Sequence, residues 1–373
     1  MTTITATEPD ALEGAPHPRL TEILYGQSGA EADFLSAFNT SRLHHGWLIT
    51  GPRGVGKATL AWKIARFLLT QPENDGGMFA PPAPSALDSP TDHPVLRRSR
   101  ALSETRLFLL RNGYDEKKER FSDIISVDEM RKMRSFFTMS AADGGRRVAI
   151  IDTIDDMNIA AANALLKTLE EPPAKVTLLL ISHQPAKLLP TIRSRCRALR
   201  LGHLGPQDMA LALSQAGGEV PLGQETALAE LAAGSVGAAF RMVGLDGLDL
   251  YAALVKVLAT LPNLSRPMAI KLAQAGAAKG AQAQFDLIVT LIDLLLARLA
   301  RAGASGQIPP EAAPGEAALI RRLSPDPDAA RRWADLAQSL GVRARRGKAV
   351  NLDPFALLMD MVLRIEQTAQ ARA

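Results

Sequence analysis

Residues 47–50 form a short apolar run that ends directly in Gly51, Pro52, Arg53, Gly54, Val55, Gly56 and Lys57, and a helical run over residues 60–69 follows without a break. This strand, glycine loop and helix order is what a phosphate-binding loop requires. The glycines let backbone N–H groups turn inward around phosphate oxygens, the helix N-terminus adds partial positive charge, and Lys57 adds a full one. Gly51, Gly54, Gly56 and Lys57 are therefore candidate nucleotide-binding residues. A glycine-rich turn kept only for its shape is the plainer reading of the same letters. The position after the lysine should offer a hydroxyl to Mg²⁺, and it holds Ala58. Thr59 stays on the candidate list, but it lies about 100° further around the helix axis, which turns its hydroxyl away from a metal held by the loop.

From residue 25 to residue 201, short apolar runs alternate with amphipathic segments, the pattern of strands interleaved with helices. Residues 47–50, 148–152 and 176–182 are the clearest strands. Their lack of polar alternation predicts a parallel sheet covered on both faces. Residues 121–139 predict a strand edge followed by a helix. Residues 71–94, rich in proline, glycine and serine, predict a mobile insertion that does not pack. Beyond Gly202, helical spacing dominates at 206–215, 224–233, 250–261, 282–302, 328–340 and 354–367. The expected organisation is a disordered tail over 1–19, an α/β domain over 20–202, a small helical lid over 203–247 and an all-α collar over 248–373.

The 373 residues are 47% apolar, enough for two or three cores. Forty-three basic against 39 acidic residues leave a net charge of +4, too small to imply nucleic-acid binding by itself. Cys196 is the only cysteine, so neither an intrachain disulfide nor a multi-thiolate zinc site can form, which fits a reducing cytoplasm. The N-terminus lacks the pattern of an export signal. Residues 285–299 are apolar but contain Asp286, Asp293 and Arg298 and fall short of a membrane span, so a buried helix and no membrane association are expected.

Residues 147–152 read as a charged entry, four apolar residues and Asp152, the form of a strand whose terminal carboxylate holds a metal through water. A hydrolase would place a second carboxylate at the next position to polarise the attacking water, and Thr153 stands there. Asp155 and Asp156 follow the strand end and read as loop or helix N-terminal acids.

Residues 163–173, Asn-Ala-Leu-Leu-Lys-Thr-Leu-Glu-Glu-Pro-Pro, form an amphipathic segment stopped by prolines. Read whole, the segment resembles a signature of the clamp-loader subunits of bacterial DNA polymerase III, a branch of the AAA+ superfamily. An apolar strand follows, then Thr191, Ile192, Arg193, Ser194, Arg195 and Cys196, which contain the Ser-Arg-Cys motif of those subunits. Tyr25, Gly26 and Gln27 resemble the turn beside their adenine pocket. The resemblance runs from about residue 20 to about residue 241. It implies that Ser194, Arg195 and Cys196 lie at a subunit boundary, with Arg195 reaching the γ-phosphate of ATP held by a neighbour. Without the motif, Arg193, Arg195, Arg197 and Arg200 would read as a solvated basic edge or as contacts to DNA phosphates.

Three departures separate the chain from the motor subunits it resembles: Ala58, Thr153 and Gly237, the last where motors place an arginine that clamps the nucleotide. Arg241 lies one turn later. Ser182 and His183 occupy the region where motors use threonine or asparagine. The absence of cysteine from residues 70–122 leaves no zinc module of the kind many relatives carry. The resemblance thus implies a non-hydrolysing clamp-loader subunit, with ATP or ADP held without turnover if held at all. Its implied partners are gamma or tau, delta, the sliding clamp beta and, indirectly, primed DNA. The alternatives are an ATP-hydrolysing motor in which Thr59 and Asp155 serve as relocated groups, and a stand-alone P-loop kinase or helicase, for which no phosphate lid or base-stacking motif is visible.

Overall fold

A computed structural model describes residues 8, 10–12, 14–72, 82–115, 118–138 and 145–371. The chain divides into two compact units, Met1–Gly217 with Ser235–Gly237, and Gly218–Gly234 with Ala238–Ala373. The stretch 203–247, expected as one lid, is thereby split between them.

In chain order the first unit contains α1 (Ser28–Asn39), β1 (Gly46–Thr50), α2 (Lys57–Thr70), α3 (Pro94–Arg100), β2 (Leu107–Leu110), β3 (Tyr114–Asp115) and β4 (Arg120–Phe121). It continues with α4 (Val127–Thr138), β5 (Arg147–Ile151), α5 (Ile159–Glu170), β6 (Val176–Ser182), α6 (Pro190–Ser194), β7 (Arg197–Arg200) and α7 (Pro206–Gln215). Five strands form one parallel sheet in the order β2-β5-β6-β1-β7, and β3 pairs with β4 as a small antiparallel hairpin. Every residue of β6 is buried, as a strand covered on both faces requires. Leu48, Leu110, Ile151, Leu165, Leu178 and Leu180 share one core beneath α4 and α5. Each such side chain contributes about 1.5–3 kcal/mol by leaving water. Helix α2 is buried nearly all round, from Leu60 through Trp62 and Phe67 to Leu69, which fixes the loop before it.

Two expectations about irregular segments are corrected. The insertion at 71–94 packs in its described part: Leu87 is buried, Asn39 Nδ2 donates to the Pro84 carbonyl at 3.0 Å, and His93 caps α3 through Val95 N. Its residues 73–81 lie outside the described residues. The tail at 1–19 is likewise docked where it is described, because His17 is buried and Arg19 bonds Glu8. In each case a buried apolar or ionic anchor outweighs the local polar composition.

The second unit holds α8 (Glu225–Leu231), most of α9 (Val236–Gly244), α10 (Gly247–Ala259), α11 (Arg266–Ala277), α12 (Gln282–Ser305), α13 (Glu316–Leu323), α14 (Pro327–Ala349) and α15 (Pro354–Gln370). Helices α12 and α14 approach closely through small residues: a Cβ at Gly303 would meet the Asp326 carbonyl at 2.9 Å and Ala330 at 3.1 Å. Phe285, Ile292, Leu295 and Leu299 bury the apolar face of α12. Among the described residues, no helix is long and apolar enough to cross a membrane.

Candidate nucleotide cradle and arginine edge

The loop between β1 and α2 needs its glycines for separate reasons. Gly51 has φ +147°, and a Cβ there would sit 2.5 Å from the Leu201 carbonyl oxygen. Gly54 has φ +77°, and a Cβ there would overlap Ser235 Oγ. Gly56 precedes α2 in the left-handed region at φ +97°. Val236 N donates to the Gly54 carbonyl at 2.8 Å, so the start of α9 rests on the loop.

Lys57 is buried at 3% exposure, and its Nζ donates to the carbonyls of Gly51, at 2.7 Å, and Pro52. Burial brings the ammonium down to about 8, with Asp152 and Asp155 opposing the shift. Ala58 and Thr59 are both half-buried on the first turn of α2. Gln27 ties the loop to the end of the sheet: its Nε2 donates to Val55 O at 3.3 Å and Gly202 O at 2.9 Å, and its Oε1 accepts from Gly202 N at 3.2 Å. Gly26, at φ +69°, packs against Asp208 of α7.

Asp152 follows β5 and is half-buried. Burial first, and then the charge of Asp10, push its carboxyl up to about 7, while Lys57 pulls it down. Thr153 Oγ1 donates to Asp155 Oδ2 at 2.9 Å, Ser182 Oγ donates to Oδ1 at 2.8 Å, and His183 N donates to Oδ2 at 2.5 Å. Burial works to raise Asp155, but these donors outweigh it and hold the carboxyl below its ordinary value. A carboxylate so occupied is a poor base. His183 falls to about 4 through burial and the nearby charges of Lys57 and Arg53.

The Ser-Arg-Cys residues lie elsewhere. Arg195 closes α6, its Nη1 donates to Thr191 O at 3.1 Å, and its Nη2 lies 2.9 Å from Glu170 Oε1. Ser194 Oγ donates to the same Thr191 carbonyl at 3.1 Å. Cys196 is turned inward against β1, and burial pushes its thiol up to about 12, out of reach of ordinary thiolate chemistry. Arg197 stacks over the Trp47 ring at 5.1 Å, whereas Arg193 and Arg200 are exposed.

The structure therefore gathers Gly51, Gly54, Gly56, Lys57, Asp152, Asp155 and His183 at the C-terminal ends of β1, β5 and β6. Ser194, Arg195 and Cys196 sit at the N-terminal end of β7, on the opposite edge of the sheet. Arg241 is exposed on α9. Local pattern assigns no role to Arg66, Arg111, Glu8, Asp10 or His17, of which Asp10 and Arg111 act by their charges on Asp152. An arginine inside the apolar run of α2 was the one available signal for them.

A parallel sheet in this order, with a glycine loop after β1, an acid after β5, a polar pair after β6 and an arginine before β7, defines a P-loop type α/β domain, here followed by an all-α region. A family model described as DNA polymerase III, delta subunit, matches residues 26–205. The chain is 40% identical to the DNA polymerase III subunit delta' of Pseudomonas aeruginosa over 152 residues, 41% of each chain. It is 29% identical to the subunit delta' of Escherichia coli over 339 residues, covering 90% of this chain and 93% of that one. A subunit gamma/tau of Mycobacterium bovis matches at 29% over 193 residues, 51% of this chain and 30% of that one. The match thus spans less than half of the Pseudomonas relative and nearly all of the E. coli one. The chain is similar to the DNA polymerase III subunits delta' and, over a shorter stretch, to the gamma/tau subunit.

Proposed function

We propose that the chain is the non-hydrolysing subunit of a clamp loader, and that it presents Arg195 to ATP bound by a neighbouring gamma or tau subunit. The observation that carries this reading is the separation of the two sites. Arg195 is 37% exposed at the N-terminal end of β7, away from the chain's own cradle, and the Thr191 carbonyl and the exposed Glu170 carboxylate hold it. A guanidinium so placed can stabilise charge on a phosphoryl group only if another chain supplies it. Such a contact accelerates transfer by about 10³–10⁵ where arginine fingers have been measured.

The cradle supports the same reading from the other side. Its glycines and Lys57 suit an anion, so ATP or ADP fits the loop. Ala58 offers no hydroxyl to a metal, Thr153 is no base, and Asp155 is occupied by three donors. The relocated motor is left without a base. Delta, the beta clamp and primed DNA follow as partners through the assembly, in a cytoplasmic setting. The test is ATPase turnover of the chain alone and of a reconstituted loader carrying either native Arg195 or Arg195→Ala. A silent chain and a slowed, DNA-stimulated assembly support the reading; robust turnover by the isolated chain overturns it.

A further inference from the structure

We propose that residues 8, 10–12 and 14–21 act as a strap that closes the cradle between Gly51 and Lys57, and that a nucleoside polyphosphate enters only when this strap lifts. The inference concerns the chain's own cradle and stands apart from the role of Arg195.

The strap is anchored at both ends by arginines of the sheet domain, one buried and one half-buried. Arg66, 6% exposed on α2, donates through Nη1 to Arg19 O and through Nη2 to Thr21 O, both at 2.9 Å. The helix that begins at the phosphate loop thus pins one end. Arg111, directly after β2, places Nη1 at 2.7 Å from both Glu8 Oε2 and Asp10 Oδ1. Arg19 also bonds Glu8, and His17 Nε2 lies 3.0 Å from Asp10 Oδ2 and 3.2 Å from Glu8 Oε2. The side chain of Asp10 is only 3% exposed, so this end is docked rather than adsorbed.

Between the anchors the strap passes over the cradle. A Cβ at Gly237 would lie 3.8 Å from Leu12 Cδ2 and 3.9 Å from Gly54 Cα, so Leu12 and the phosphate loop both come within contact distance of position 237. Asp10 stands close enough to Asp152 for its charge to act on that carboxyl. Phosphate loop, metal-type acid and the start of α9 therefore converge under one segment.

Its chemistry does not attract the ligand that the loop favours. Glu8 and Asp10, each paired with arginine, bring no free positive charge to a site whose glycines and lysine suit phosphate. Glu8, Asp10 and His17 also offer ligand atoms within 4.8 Å of one another, the spacing of a cation site. Arg111 contacts both carboxylates and Arg19 contacts Glu8, which balances their charge, so the cluster works as a clasp and not as a metal site.

The test is binding of fluorescent ADP to the full-length chain, read by anisotropy with and without Mg²⁺. The chains compared are the parent, Glu8→Lys/Asp10→Lys and, independently, Leu12→Asp. Each strap variant is expected to bind at least ten-fold more tightly than the parent, and Lys57→Ala is expected to remove that gain. Equal affinity in all three chains, strong or undetectable, overturns the proposal, as does a gain that survives Lys57→Ala. Hydrogen exchange of the parent chain needs no variant. Millimolar ADP is expected to speed exchange of amides at residues 10–20 as the loop amides slow, and unchanged strap exchange beside a protected loop overturns the proposal.

Discussion

The guanidinium of Arg195 lies 2.9 Å from the carboxylate of Glu170, and the two side chains are 37% and 49% exposed. An exposed ion pair contributes only about 0.2–1 kcal/mol. The pair orients Arg195 without committing it, and a more highly charged partner can draw it away. Glu170→Gln is expected to change the stability of the isolated chain by less than about 1 kcal/mol in urea unfolding. A loss above about 2 kcal/mol would mark the pair as part of the fold instead.

Gly51 and Gly54 should respond differently to alanine. At Gly51 the added Cβ meets the backbone carbonyl of Leu201, which β-sheet pairing holds in place, whereas at Gly54 it meets the movable hydroxyl of Ser235. Gly51→Ala is expected to cost more than about 2 kcal/mol and Gly54→Ala about 1–2 kcal/mol. Equal losses in denaturant unfolding would contradict the assignment of Leu201 as the fixed wall.

Asp152 gives the fold a pH dependence. Its carboxyl stays protonated up to about 7 in the folded chain, whereas an unfolded aspartate ionises near 4. Between these values the folded state binds a proton that the unfolded state has lost, so stability from this group falls as pH rises from about 4 to about 7 and is flat above. Asp152→Asn should therefore match its parent near pH 4 and exceed it by roughly 2–4 kcal/mol at pH 8. A stability difference independent of pH would show that Asp152 does not titrate in this window.

In the helical unit, Glu316 is fully buried and accepts from Tyr251 Oη at 2.6 Å, Arg298 Nε at 2.6 Å and Ala312 N at 2.7 Å. Glu316→Ala leaves the buried Arg298 with only the partly exposed Glu230 as counter-charge and is expected to destabilise by about 3–5 kcal/mol. Arg298→Met/Glu316→Leu should lose less than Glu316→Ala alone, because the one charge left without its partner, Glu230, is partly exposed to water. Calorimetry of the three chains decides between these orders.

The central strands were legible because β5 and β6 are long apolar runs. The edge strands were not. β7 is Arg-Ala-Leu-Arg, polar on the side that lacks a neighbour, and β2 is only four residues long. Helices α9, α11 and α13 also escaped the periodicity. In α11, Pro267 reads as a breaker, yet it stands in the first turn, where its missing N–H is no loss. The phosphate loop and the Ser-Arg-Cys residues were plain from local order, whereas the clasp of Glu8 and Asp10 on Arg111 joins residues about a hundred positions apart. No local pattern announces such a pairing.

Strand β1 joins the two sites. Its five residues rise about 16 Å. At its start, the Cβ position of Gly46 lies 3.4 Å from the Arg195 carbonyl, and at its end the chain turns into the loop that holds Lys57. On the proposed function, Arg195 is a donor pole and the cradle at Lys57 an acceptor pole. Subunits joined through such poles meet head to tail, the heterologous contact that makes rings or open arcs and not two-fold dimers. On that reading, a member whose cradle lacks a metal hydroxyl and a base stands at the end of such a series, where it gives a contact and needs none in return.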